Sequence, residues 1–405
     1  MKQIKIKDTI YWVGAVDPDM KTFDLVFKTD HGTTYNSYLI MDRKTALIDT
    51  VKEPFTEDFI VKITALIDPK RIDFIVISHT EPDHSGALLK LLKLAGNAKI
   101  IISKSGGNLL REITNTSLDV MFIEEHESIN LGTHNLTFIP TPYLHWPDAF
   151  VTYIEKEKII FTCDIFGSHF CDERMFDDVI GDFDYSFEYY YDCIMRPFKP
   201  YVLKAMEKFR KINVTVIAPG HGPILRTDPG KYIERYSRWS QNEVHEKKRV
   251  LVLYLSVYGN TKRVAEAIAG GISEENMDVI LFDINDSDYE EIRNEIEDAD
   301  GILVGSPTIA GDAPGPIWHA LSLISTVKSN IRLGAAFGSY GWSGEATGMI
   351  EERLKGLHIK LHKPSLKIRL VPDGKSLVEC HKFGKIFANA LGLILFRRSW
   401  SRNTR

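Results

Sequence analysis

The sequence predicts two α/β domains in series, the first made of two strand layers flanked by helices and the second a doubly wound parallel sheet. Three observations carry that expectation. The first fifty residues break into short strand patterns, strands alternate with helical stretches from about residue 57, and beyond residue 249 the alternation becomes regular. Length agrees, since 405 residues exceed one comfortable core and suggest two domains of roughly 150 to 250 residues.

The opening strands are expected at 3–7, 10–14, 22–28, 34–41 and 44–49, cut by turn signals such as Asp17-Pro18 and Asp30-His31-Gly32. A helix over 57–67, an apolar strand at 74–77 and a helix over 86–94, its leucines at helical spacing, come next. A strand pair at 135–140 and 150–162, an aromatic-rich stretch at 182–198 and a strand at 214–218 complete a first domain of residues 1–245. The polar run 240–248 then gives way abruptly to the apolar strand 250–255, which marks the boundary. The second domain, 249–396, has strands near 250–255, 278–283, 301–305 and 332–338, separated by helices near 261–274, 287–297, 316–326 and 344–356. Residues 397–405 carry four arginines and are read as a frayed basic tail.

Composition excludes several function classes. With 50 basic and 55 acidic residues and a formal charge of −5, the chain has no electrostatic footprint for nucleic acid and no basic run for an anionic membrane. The four cysteines, at 163, 171, 193 and 380, never form C-x-x-C, so no zinc ribbon, thioredoxin motif or fused rubredoxin-type site is readable. No apolar run approaches the ~20 residues of a membrane span, and Met1-Lys2-Gln3-Ile4-Lys5-Ile6-Lys7 lacks the core of a signal peptide. A cytoplasmic protein is expected.

The strongest local signal is Ser78-His79-Thr80-Glu81-Pro82-Asp83-His84-Ser85-Gly86, directly after an apolar strand. Two imidazoles and two carboxylates within six residues can turn nitrogen and oxygen donors onto one or two cations. A lone His-x-Glu pair would be an ordinary solvated loop, but three further donors follow predicted strands: His145 in Leu-His-Trp-Pro-Asp, Asp164 in Thr-Cys-Asp-Ile-Phe-Gly, and His221 in Pro-Gly-His-Gly-Pro. Tyr143, Trp146 and His169 lie near these positions and read as packing, His169 also as a group that could hydrogen-bond a bound substrate. His31, His126, His134 and His245 have no partner in sequence and are expected at the surface.

These residues resemble the metallo-β-lactamase fold, an αββα sandwich whose H-x-H-x-D-H loop and three later His/Asp/His positions bind two metals. Glu81 stands where zinc hydrolases of that fold carry histidine, and a carboxylate there makes the site harder and better suited to iron. That is the pattern of the A-type flavodiiron proteins. The resemblance implies that His79, Glu81 and His145 hold one iron, Asp83, His84 and His221 the other, and that Asp164 bridges. For His84 it leaves a water-linked role open.

In the second domain, Ser256-Val257-Tyr258-Gly259-Asn260-Thr261 follows a strand and opens an amphipathic helix, which is what a loop around a monophosphate needs. The loops Gly305-Ser306-Pro307-Thr308-Ile309-Ala310-Gly311 and Gly338-Ser339-Tyr340-Gly341-Trp342-Ser343-Gly344-Glu345 follow the third and fourth predicted strands, with Tyr340 and Trp342 able to stack on a flat ring. Together they resemble a flavodoxin, and without a G-x-G-x-x-G fingerprint FMN is expected rather than FAD or NAD. The family resemblance further implies reduction of dioxygen to water or nitric oxide to nitrous oxide. It also implies a head-to-tail homodimer, or a dimer of dimers, and an external donor such as rubredoxin or a reduced deazaflavin. The alternative is a zinc hydrolase with a passive flavodoxin appendage.

Overall fold

The computed structural model describes residues 2–23, 27–123, 128–241, 245–327 and 329–403, and the chain divides into two compact units, Met1–Gln241 and Asn242–Arg405. The division falls inside the polar run 240–248.

The first unit pairs a seven-stranded sheet, in the order Ile4–Lys7, Ile10–Trp12, Tyr38–Ile40, Thr45–Ile48, Ile72–Ile77, Lys99–Ile102 and Val120–Phe122, with a five-stranded one. The latter runs Ser128–Asn130, Asn135–Pro140, Phe150–Ile154, Ile159–Cys163 and Val216–Pro219. Period-two alternation assigns each side chain its layer. Val76 and Ile101 join Phe138, Phe150 and Phe161 between the sheets, while Ile75, Ile77, Ile100 and Ile102 face the opposite way, onto Phe59, Ile63, Leu88 and Leu110. On the far side Ile139, Val151, Ile160 and Ile217 pack on Phe187, Val202, Met206 and Tyr236. The result is the expected αββα sandwich. Each fully buried Phe or Ile contributes ~1.5–3 kcal/mol, so the order of the layers is strongly specified.

Several elements differ from their sequence reading. The strand expected at 150–162 is two antiparallel strands joined by the Glu155-Lys156-Glu157-Lys158 turn. The strand 34–41 breaks at Asn36-Ser37, and the span 22–28 is a short pair, Thr22–Phe23 with Phe27–Lys28. The helices Lys104–Thr114, Lys199–Phe209 and Pro229–Trp239 were not anticipated.

The second unit is a five-stranded sheet in the order Asp278–Asp283, Arg249–Tyr254, Gly301–Pro307, Leu333–Tyr340, Leu366–Arg369, every pair parallel. Leu251, Leu253, Ile302 and Val304 face the helices Tyr289–Asp298, Gly315–Leu323 and Ala346–Gly356. Val250, Val252, Leu303 and Phe337 face Asn260–Ser273 and the last helix, Gly374–Asn403. In chain order the strands read 2-1-3-4-5, so the first strand, flanked by the second and third, marks the crevice where such sheets take a ligand. The last helix corrects the frayed-tail expectation, because it runs through residues 397–403. Among the described residues no helix is long and apolar enough to cross a membrane, and all four cysteines are free.

Candidate metal centre and flavin loops

The seven donors leave the ends of strands from both sheets. His79 follows Ile72–Ile77, Asp164 follows Ile159–Cys163 and His221 follows Val216–Pro219; the last two strands pair in parallel, which places Asp164 and His221 side by side. Asp83 and His84 sit on the one-turn helix Pro82–Ser85. The His221 turn is pinned by the segment 33–36: His221 Nδ1 donates to Thr34 O (2.7 Å), and Asn36 Nδ2 donates to Pro219 O (2.8 Å) and Gly222 O (2.9 Å).

Two clusters result, His79–Glu81–His145–Asp164 and Asp83–His84–His221, with the candidate ligand atoms of each within 4.8 Å of one another. Glu81 Oε2 stands 3.0 Å from both His79 Nε2 and His145 Nε2. Asp164 joins the clusters. Its Oδ2 lies 3.5 Å from His79 Nε2 and 3.6 Å from His145 Nε2, and its Oδ1 lies 3.0 Å from His84 Nε2 and 3.4 Å from His221 Nε2. One carboxylate thus turns one oxygen to each cluster.

Electrostatics match that arrangement. Burial works against every charge here, yet hydrogen bonds to Asp148 and Glu81 hold the His79 imidazole well above its usual range. Burial is likewise outweighed at His221, held up to about 10 by Asp164 and Asp83. Glu81, Asp83 and Asp164 are all kept below the usual carboxylate range, against burial, by the facing histidines. His169 differs: burial, then repulsion from His221, pushes it down to about 3, so its ring is neutral.

In the second unit the three glycine-bearing loops leave three adjacent parallel strands at the same edge. Gly259 takes φ +78°, a conformation that side chains disfavour, and so lets the chain turn from strand into helix. Ser256 Oγ accepts from Lys262 N at 3.2 Å, and the Thr261 and Ser339 hydroxyls meet at 2.9 Å, tying the first loop to the third. The segment Ile309–Asp312 closes a tight turn through reciprocal backbone bonds of 2.9 and 3.0 Å, with Ala310 and Gly311 at positive φ. Tyr258 and Trp342 are 89% and 91% exposed, two aromatic rings presented at the rim of the loops rather than packed beneath them.

Comparison with known proteins accounts for both units. Residues 33–222 match the ODP family beta lactamase model and residues 252–384 match flavodoxin. The chain is 41% identical to the type A flavoprotein fprA of Rhodobacter capsulatus, over 96% of this chain and 91% of that protein. It belongs to the type A flavodiiron family. A nitric oxide reductase of Moorella thermoacetica is 37% identical, over 95% of this chain and 98% of the relative. The solved rubredoxin oxygen:oxidoreductase of Desulfovibrio gigas superposes with a TM-score of 0.72 at 31% identity, covering 97% of this chain and 100% of that one. This flavodiiron protein is accordingly an oxidoreductase, with FMN and a di-iron centre as its cofactors.

The donor set fits iron. Both Asp83 oxygens, Asp164 Oδ2 and His221 Nε2 are buried without a hydrogen-bond partner, a state that costs ~1–3 kcal/mol per group unless a cation or water satisfies it. Mixed imidazole and carboxylate donors without a thiolate suit iron rather than a soft metal.

Several supporting residues escaped the sequence reading. Asp148 accepts from His79 Nδ1 (3.2 Å), Thr80 N (2.8 Å) and Thr80 Oγ1 (2.7 Å), and Tyr190 OH donates to Asp164 Oδ1 (3.3 Å). Asp49, pushed up to about 6 chiefly by burial, lies beneath His84 and accepts from Ser78 N (2.7 Å). Of these only Asp148 left a local trace, three residues past His145. His134 is a correction: it is buried, not superficial, held by Asp42 at 2.8 Å and Glu157 at 3.3 Å. His31 is exposed, His245 is half-buried beside Arg249, and His126 lies outside the described residues.

Proposed function

We propose that the chain reduces dioxygen to water, nitric oxide to nitrous oxide, or both, passing electrons from an external donor through FMN to the di-iron site. The observation that carries this reading is the Asp164 carboxylate turned toward two histidine–carboxylate clusters, the first containing Glu81, on a chain that also bears a flavodoxin domain. His79, Glu81 and His145 would hold one iron and Asp83, His84 and His221 the other, bridged by Asp164. His84 is assigned as a direct ligand because its Nε2 points at Asp164 and Asp83 (3.0 and 3.5 Å). Two irons and a flavin supply up to four electrons, which matches a multi-electron reduction.

The protein's own groups do the rest. Asp148 holds His79 with Nδ1 protonated and Nε2 free for metal, and Thr34 O does the same for His221. Ser256, Asn260 and Thr261, at the start of a helix, would face the FMN phosphate, and the loops 306–310 and 339–344 its ring. The partners we infer are a rubredoxin-like protein or a reduced deazaflavin as donor, and a second copy of this chain arranged head to tail, alone or as a dimer of dimers. The names of the relatives support both gases, and the cytoplasm suits four free thiols.

The test is single-turnover consumption of dioxygen and of nitric oxide by anaerobically reduced protein, in parallel, with metal analysis. Two irons per chain and rapid consumption of either gas are expected, and the faster gas identifies the working substrate. Two zincs, hydrolase activity and no gas uptake would overturn the reading.

A further inference from the structure

Beside the metal ligands lies a cavity of about 100 Å³ whose lining includes Lys28, Asp30, His169, Ser186 and Tyr189. It has room for a few waters, each ~30 Å³ in the liquid, and its walls offer them polar partners. One wall is His169, a residue 5% exposed. Its Nδ1 lies 3.0 Å from Thr33 Oγ1, whereas Nε2 is buried with no hydrogen-bond partner. The same ring packs against the metal site: its centroid is 4.9 Å from that of Tyr190 and 5.6 Å from that of His221. Tyr190 in turn donates to Asp164. The helix Asp184–Tyr190 brings Ser186 and Tyr189 to the cavity and Tyr190 to the metal ligands, and it runs on into the π-helical turn Tyr191–Met195, a form that recurs at functional sites.

We propose that this cavity is the proton inlet of the metal centre, with His169 holding on Nε2 the water that joins the solvent side to the ligand side. The inference rests on the gas-reducing function proposed above, because such a reduction consumes protons. Dioxygen takes four electrons and four protons to two waters, and two nitric oxide molecules take two of each to nitrous oxide and one water. Each proton leaves solvent water and ends on product oxygen, while the electrons come from the external donor through the flavin. Lys28, Asp30 and Ser186 give that traffic its donors and acceptors. His169 acts here as a positioning residue.

Two holoenzyme variants test the inlet from opposite sides. His169→Phe keeps a ring between Phe23 and Tyr190 but removes the nitrogens. Ser186→Leu fills the cavity and leaves His169 in place. Iron and FMN content, turnover in H2O and D2O, and a crystal structure of the unaltered protein are the readouts. Full cofactor loading, a ~10-fold or greater loss of turnover with an enlarged solvent isotope effect, and an ordered water on Nε2 are expected. Unchanged turnover and isotope effect in both variants, or an Nε2 without water, would overturn the inlet. If His169→Phe sheds iron, Ser186→Leu decides alone. A parent enzyme that consumes neither gas refutes the proposed function, and the water on Nε2 is still read independently of turnover.

Discussion

Asp148→Asn isolates the cost of a wrong hydrogen bond behind His79, a proposed metal ligand. Oδ2 of Asp148 receives two donors, the Thr80 amide at 2.8 Å and the Thr80 hydroxyl at 2.7 Å, whereas Oδ1 faces His79 Nδ1 at 3.2 Å. An asparagine there keeps its oxygen on the pair of donors and turns its NH2 toward His79. The imidazole must then accept at Nδ1 and carry its proton on Nε2, the nitrogen that faces Glu81 and Asp164. Losing such an outer partner typically weakens metal binding 10- to 100-fold, here about 1.4–2.7 kcal/mol at one iron. Anaerobic iron titration against a competing chelator measures it, with flavin absorbance as the internal control. Weakened binding of one iron, a second iron near its normal affinity and full FMN are expected. Two irons bound as tightly as in the unaltered protein would show that Asp148 does not set the His79 tautomer.

Further changes probe other parts of the argument. Glu81→Ala should lose iron and gas reduction yet retain FMN, measured by metal analysis and flavin absorbance, since the two sites belong to separate compact units. Gly222→Ala should destabilise the first domain by roughly 1–3 kcal/mol in denaturant melts and weaken binding of the iron we assign to His221, because Gly222 has φ +75° and an added Cβ would overlap Ser168. The Asp42 carboxylate is pushed up by burial but held below its usual range by the amides of Arg43, Thr133 and His134. Its folded pKa is therefore the lower one, so its contribution is complete above the unfolded value of about 3.9 and fades as pH falls toward the folded one. Asp42→Asn should lower thermal stability at neutral pH and flatten its decline below pH ~4, as read by circular dichroism melts.

How much was legible follows from where each signal lies along the chain. His79, Glu81, Asp83 and His84 fall within six residues, so one loop announces them; Asp164 and His221 follow the ends of visible apolar strands, and His145 lies in the loop after Asn135–Pro140. Residues that act from a distance were silent: Thr34 reaches His221 across 187 positions, and Asp42 reaches His134 across 92. No local pattern encodes such pairs. The strand Lys99–Ile102 is a bare apolar run without alternation, which periodicity cannot assign. The last helix is legible in its spacing, since Cys380, Phe387, Ala388 and Leu391 share one face, but its final turns carry arginines in place of further apolar positions.

The donors run from His79 to His221 and gather from both sheets of the first unit, whereas the flavin loops begin only at Ser256. Domains fold in order as a chain leaves the ribosome. A nascent chain therefore possesses its whole metal-binding set before its flavin pocket exists, and maturation can load iron first. A polypeptide stalled in the second domain would carry the complete metal-binding set without a flavin pocket, an order that the succession of the two domains builds into its synthesis.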